Sequence, residues 1–193
     1  MKRNNILILI IPVMLFAGCK PSRNKSAEQI KSLETALYSP KSTSFDKGKA
    51  DSLMTIYETF VNRFPDDSLS PGYTFKAANI AMNINEGTKA ITLFDQYINK
   101  YPDKPKAEVC LFFKGYVYEN VLRDLDKAKE TYLVFIEKYP KSQFTDDAQM
   151  ALQNLGKSPE EMFREFEVKR KADSTRVSDS IAALSGKKSR KKK

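Results

Sequence analysis

Three stretches of the chain repeat one arrangement of apolar and polar positions. They are Leu53, Tyr57, Phe60, Val61 and Phe64; Ala90, Phe94, Tyr97, Ile98 and Tyr101; and Ala128, Tyr132, Phe135, Ile136 and Tyr139. Each set falls at i, i+4, i+7, i+8 and i+11, which is one face of a helix. A proline follows the last aromatic each time, at Pro65, Pro102 and Pro140, with spacings of 37 and 38 residues. Proline disfavours helical geometry in the residue before it, so each stretch predicts a helix that stops at its proline.

Partner helices are predicted between these, roughly over 72–84, 106–121 and 143–155. A period of this length signals a repeat architecture rather than one irregular core. The flanks supply further helices. Ser26-x-x-Gln29 reads as a capping box, with Ile30, Leu33 and Leu37 on one face of a helix that pairs with 47–64 across the polar loop Ser39–Asp46. Gly156 suits the position after a helix end, and Ser158-Pro159-Glu160-Glu161 starts another helix. Its stripe of Met162, Phe163 and Phe166 is expected to seal the last pair. From Ala172 the apolar pattern fades into Ser, Lys and Arg, so residues 172–193 are expected to be a disordered basic tail, with Ile181 and Leu184 able to order on binding.

The middle unit carries Leu111, Gly115 and Tyr118, followed by Ala128, Tyr132 and Pro140. This resembles the tetratricopeptide repeat (TPR), whose small residue lets two helices approach closely. Ala78 takes that place in the preceding unit and Gln153 in the following one. Lys114 and Gln153 depart from the pattern, and the period exceeds its usual length of roughly 34 residues. The resemblance covers residues 47–156 and implies an all-α, TPR-like right-handed solenoid of about eight helices in antiparallel pairs, spanning residues 26–171. The tyrosine or phenylalanine before proline and the longer loops look like the TPR lipoproteins of Gram-negative outer membranes, a group with BamD and the TPR domain of CpoB as examples.

The amino terminus agrees. Lys2 and Arg3 precede the apolar run Ile6–Phe16, and Leu15-Phe16-Ala17-Gly18-Cys19 closes it. The run is eleven residues, short of the roughly 20 that span a bilayer as a helix. It resembles the bacterial lipobox. That resemblance implies a lipoprotein signal peptide over 1–18, cleavage before Cys19, a diacylglycerol on its sulfur and an acyl chain such as palmitate on the new amino terminus. Residues 19–25 are then a linker. A plain signal peptide with an incidental cysteine, or an anchor helix, is the alternative. Two or three acyl chains hold firmly where one does not, at about 0.8 kcal/mol per buried methylene. Lys20, with no Asp beside Cys19, points by resemblance to the outer membrane, lipid-anchored at its periplasmic face.

Charge and composition narrow the chemistry. The formal net charge is +9, but Lys2 and Arg3 belong to the leader and Lys187, Lys188, Arg190, Lys191, Lys192 and Lys193 to the tail. The remaining basic residues nearly balance the acidic ones, so no nucleic-acid-binding face is expected. Histidine is absent, which removes imidazole general acid/base chemistry, histidine-paired nucleophiles and imidazole metal ligands. Of the two cysteines, Cys110 is left alone if Cys19 is lipidated, and it reads as a small buried residue rather than a reactive thiol. Asp66-Asp67 and Asp146-Asp147 read as carboxylates at helix starts, not as metal ligands. Ser185-Gly186-Lys187-Lys188-Ser189 lacks the spacing of a phosphate loop. No enzyme, cofactor, metal or small-molecule substrate is expected.

What remains is binding. TPR-like stacks hold peptides on the face lined by the first helix of each pair, and the resemblance places Phe75, Asn79, Met82, Asn83, Phe112, Tyr116, Glu119 and Asn120 there. Asparagines can bond a ligand backbone and aromatics can anchor it; otherwise these aromatics pack between repeats. The expectation is a membrane-anchored protein-interaction module of the cell envelope, in outer-membrane assembly or in Tol-Pal and cell-wall coordination, with an envelope protein as partner. The alternative is a structural tether whose basic tail meets cell wall or lipopolysaccharide, an anionic surface that attracts each lysine by about 1 kcal/mol.

Overall fold

The computed structural model describes residues 22–38 and 46–190, and of 179 and 181–190 the backbone alone. Its helices are α1 (Arg23–Leu37), α2 (Lys47–Arg63), α3 (Ser70–Asn83), α4 (Gly87–Lys100), α5 (Lys106–Asn120), α6 (Leu125–Lys138), α7 (Thr145–Asn154) and α8 (Pro159–Arg190). No strand occurs among the described residues. From α1 to α7 each helix packs on the next, and α3 also touches α5. Hairpins α1–α2, α3–α4 and α5–α6 thereby stack into the TPR-like solenoid that the repeat predicts. The leader, Cys19, Lys191, Lys192 and Lys193 lie outside the described residues, as do the side chains of Lys187, Lys188 and Arg190.

Helices α2, α4 and α6 end alike. The residues that cap them, Phe64 (φ −128°, ψ 59°), Tyr101 (φ −131°, ψ 51°) and Tyr139 (φ −128°, ψ 59°), leave helical geometry in the same way, as the following proline requires. The N–H groups of Asp67, Lys104 and Ser142 then donate to the carbonyls of Phe64, Tyr101 and Tyr139, each at 3.1 Å. Side chains reinforce two of these turns: the Ser70 hydroxyl donates to the Phe64 carbonyl and the Thr145 hydroxyl to that of Tyr139. The turns of the α3–α4 and α5–α6 hairpins are tighter and use a left-handed residue, Asn85 (φ 62°) before α4 and Arg123 (φ 57°) before α6. Asn tolerates that geometry and Arg does not favour it.

The interior is unevenly divided. One core runs from Ile30 through α2, α3 and α4 to Cys110 and Val117 of α5. A second, small core holds Leu111, Ala128, Tyr132, Phe135 and Ala148. Gly115 lies at the seam, where a Cβ would stand 2.6 Å from the Tyr132 ring. This is the close approach that the small residue of the repeat predicts.

Three expectations change. Helix α1 begins at Arg23, capped by the Ser22 hydroxyl on the Lys25 N–H, while Ser26 is buried inside the helix. Burial against the next helix overrides the local capping signature. Secondly, α8 does not seal the stack. It has no substantial packing against α1–α7, and Met162, Phe163 and Phe166 are 37%, 66% and 61% exposed. Helix α7 has only ten residues, and its Leu152 already faces the small core, which leaves little apolar surface for a fourth hairpin. Thirdly, the backbone stays helical through Arg190, beyond residue 172 where a disordered tail is expected. No Gly or Pro interrupts 160–185, so no strong helix breaker stands in that stretch. The junction forms as read: Gly156 is left-handed (φ 77°), and Ser158 and Glu161 exchange backbone-to-side-chain bonds of 2.7 and 3.2 Å.

Candidate functional site

The eight predicted groove residues divide into two groups. Phe75, Phe112 and Glu119 are engaged inside the stack. The Phe75 ring meets that of Tyr97 at 6.2 Å between centroids and carries the Lys106 ammonium 4.1 Å above it. Phe112 stacks on Phe144 at 5.0 Å and an interplanar angle of 19°, and touches Tyr132 and Phe135. Glu119 accepts the Tyr132 hydroxyl at 2.8 Å. Met82 is half-buried against the large core.

Asn79, Asn83, Tyr116 and Asn120 form the second group. Asn83, Tyr116 and Asn120 are exposed and Asn79 half-buried. The amides of Asn79 and Asn120 donate to the carbonyls of Phe75 and Tyr116 one turn back, at 2.8 and 3.2 Å. Each uses one donor on its own helix, and its carbonyl oxygen, an acceptor, has no bond among the described residues. Contact between α3 and α5 brings both sets to neighbouring helices. The three asparagines and Tyr116 of the predicted set are thus presented, whereas Phe75, Phe112 and Glu119 are consumed in packing.

Glu119 belongs to a recurring pair that spacing alone does not reveal. Tyr57, Phe94 and Tyr132 are equivalent in the three repeats, and Glu34, Met82 and Glu119 stand four residues after Ile30, Ala78 and Gly115. Where the second helix carries tyrosine, the first carries glutamate. Tyr57 donates to Glu34 as Tyr132 does to Glu119. Where it carries Phe94, the partner position is Met82. Burial, then the neighbouring glutamate, pushes the hydroxyls of Tyr57 and Tyr132 well above their usual range. Burial pushes the Glu34 carboxyl up, but bonds from Lys76 and Tyr57 outweigh it and hold the group below its usual range.

Ion pairs tie each hairpin to the next: Lys76 on α3 to Glu34 on α1 at 2.6 Å, Lys89 on α4 to Glu58 on α2 at 2.6 Å and Lys114 on α5 to Asp95 on α4 at 2.7 Å. Lys114 departs from the repeat pattern because it reaches back to α4. Asp67 receives Arg23 at 2.8 and 3.1 Å and the Leu69 N–H at 2.9 Å; these contacts hold its carboxyl below the usual range, Arg23 foremost. Asp146 and Asp147 sit in the first turn of α7. No group of three or more metal-ligating side chains occurs among the described residues. Cys110 is fully buried, and burial pushes its thiol up to about 12, which removes the thiolate needed for reactivity.

One surface escaped the sequence reading. Leu133 and Val134 on α6 are 51% and 44% exposed, and Met150 on α7 is 57% exposed. Among the described residues, every exposed large apolar side chain except Tyr38 lies at or beyond Tyr116. The signal was available: Leu133 and Val134 stand between the i+4 and i+7 positions of their repeat, off its buried face.

Comparison with known proteins supplies the family. Among curated proteins none matches the chain. The model of the YfiO family, described as outer membrane lipoprotein, matches residues 31–173. That range runs from the second half of α1 to the first half of α8 and takes in every repeat. By that match and by its helical-repeat fold, the chain belongs to the YfiO family of outer membrane lipoproteins.

Proposed function

We propose that this lipoprotein is anchored by acyl chains on Cys19 at the periplasmic face of the outer membrane, and that its helical stack docks another envelope protein in outer-membrane assembly or in Tol-Pal and cell-wall coordination. The observation that carries this reading is the family match over the whole stack. The carbonyl oxygens of Asn79 and Asn120, which have no partner among the described residues, together with exposed Asn83 and Tyr116, offer an extended peptide backbone acceptors for its N–H groups. A photo-crosslinking residue at Asn83, Tyr116 or Asn120, activated in native membranes, is expected to capture one envelope protein. The same residue at Lys129 on α6, which is exposed, gives the comparison. Equal capture at both places overturns the groove assignment. Globomycin that leaves mobility and membrane fractionation unchanged overturns lipidation at Cys19.

The tether is a second reading, favoured by α8. A helix of 32 residues extends about 48 Å at 1.5 Å per residue, enough to hold Lys187, Lys188 and Arg190 well away from the stack. Deleting 173–193 separates the two readings. Loss of cell-wall association with retained co-purifying proteins supports tethering, and no change in either removes it.

A further inference from the structure

We propose that α8 is a self-association helix, through which two copies of this chain pair antiparallel. The helix leaves the stack without substantial packing on it and is held by its own bonds and local pairs such as Arg170–Glu167 at 2.9 Å and Lys157–Glu165 at 2.6 Å. A lone helix of this kind is marginal in water and gains most from burying a face. The positions Phe163, Phe166, Arg170, Asp173, Val177 and Ser180 follow one another by three and four residues, the spacing of a coiled-coil seam. All six are exposed, with Phe163 at 66%, Phe166 at 61% and Val177 at 60%.

The seam complements itself in one register. With the two-fold axis between residues 171 and 172, Arg170 meets Asp173 of the other copy, Phe166 meets Val177 and Phe163 meets Ser180. An isologous contact repeats each of these across the axis. The charges at the centre then attract twice, and the apolar residues flank them. Arg170 keeps Glu167 on its own helix and gains Asp173 on the other. A parallel pairing would set Arg170 against Arg170 and Asp173 against Asp173, which is repulsive. A lipid surface fits less well. Asp173 lies within the stripe, and acidic and basic residues balance over 159–178, whereas helices that lie on anionic membranes carry a basic polar face. Lipid anchors that confine copies to one surface raise their effective concentration, so a short seam suffices.

The test uses the full chain in membranes from cells expressing it, with the parent and its native Cys19 and Cys110 as background. Phe166→Cys and Val177→Cys in one chain are expected to give a disulfide-linked dimer on mild oxidation. Phe166→Cys with Val168→Cys, the latter on the opposite side of α8, is expected to give far less. Arg170→Asp or Asp173→Arg, placed in the crosslinking chain, should lower the dimer yield by about tenfold through like-charge contact. The exchanged pair Arg170→Asp with Asp173→Arg should restore it. Equal crosslinking by the two cysteine pairs overturns the proposal, as does an exchanged pair no better than the single reversals. Labelling of α8 by a lipid-borne photoreactive probe, with yields indifferent to the charge changes, also overturns it in favour of a membrane-lying helix.

Discussion

Phe94 in α4 and Phe166 in α8 are both aromatic residues on the apolar stripe of their helix, yet Phe94 is fully buried and Phe166 is 61% exposed. The difference extends to the regions around them. Helices α1–α4 share a continuous core in which Tyr57, Phe60 and Phe94 are inaccessible to solvent or nearly so. Beyond α5 the core shrinks to four buried residues around Leu111, and apolar side chains turn outward. A repeat is closed only by its neighbours. Hairpin α3–α4 has neighbours on both sides, whereas α7 has no substantial partner beyond α6 among the described residues. The first half is therefore built as a scaffold, and the second half carries the unsatisfied surface.

The strongest test of this contrast removes the same side chain from both regions. Phe94→Ala is expected to cost about 3–5 kcal/mol, the usual range for a buried phenylalanine, whereas Phe166→Ala should stay within about 0.5 kcal/mol in dilute monomer. Urea unfolding of the two variants measures both. Comparable losses would mean that α8 is packed in solution.

Next is the seam between the regions. Gly115→Ala sets a methyl group 2.6 Å from the Tyr132 ring and should destabilise by about 1–3 kcal/mol through overpacking. Gly72→Ala, where the same atom meets nothing within 4 Å, serves as its control in the first half.

The hydroxyl–carboxylate pairs allow a finer comparison. Tyr132→Phe leaves Glu119 without its donor and should cost about 1 kcal/mol. Adding Glu119→Met reproduces the Phe94 and Met82 combination of the preceding hairpin and should recover most of that loss. A double variant no more stable than the single one would show that the two hairpins are not interchangeable. In the first half, Glu34 is the group to titrate. Its carboxyl is depressed on folding, so its contribution is full above its unfolded pKa of about 4.3 and is lost as pH falls through the lower folded value. The stability gap between the parent and Glu34→Gln should therefore narrow as pH is taken from about 6 to about 3. A gap that widens on acidification reverses the assignment.

The smallest effect is at the hairpin turns. Arg123 holds φ 57° where the equivalent turn has Asn85. Arg123→Gly should stabilise by about 0.5 kcal/mol, relief of the left-handed strain exceeding the entropy that glycine adds. Asn85→Gly should change stability less.

Helix ends were the most legible feature of the fold, because a proline acts on the residue next to it and needs no tertiary context. The stops at Phe64, Tyr101 and Tyr139 and the start at Ser158 are of this kind. Positions decided by what another helix presents were less legible. Ser26 fits a capping box but is taken inside by burial, and Phe112 lies on the predicted groove helix but is claimed by Phe144 of the next unit. Periodicity shows that a face is apolar and is silent on which neighbour covers it. That is why Met162, Phe163 and Phe166 read as a seal although nothing substantial in the described chain lies against them.

The three proline stops have one more consequence. Since Phe64, Tyr101 and Tyr139 share one backbone geometry, the chain is spliced from units with matching ends. Excising residues 66–102 would join Pro65 to Asp103 across the same kind of turn and shorten the stack by one hairpin without inventing a new junction. The length of the stack, and with it the distance from α1 to α8, is thus a quantity that duplication or loss of a segment can adjust in whole steps.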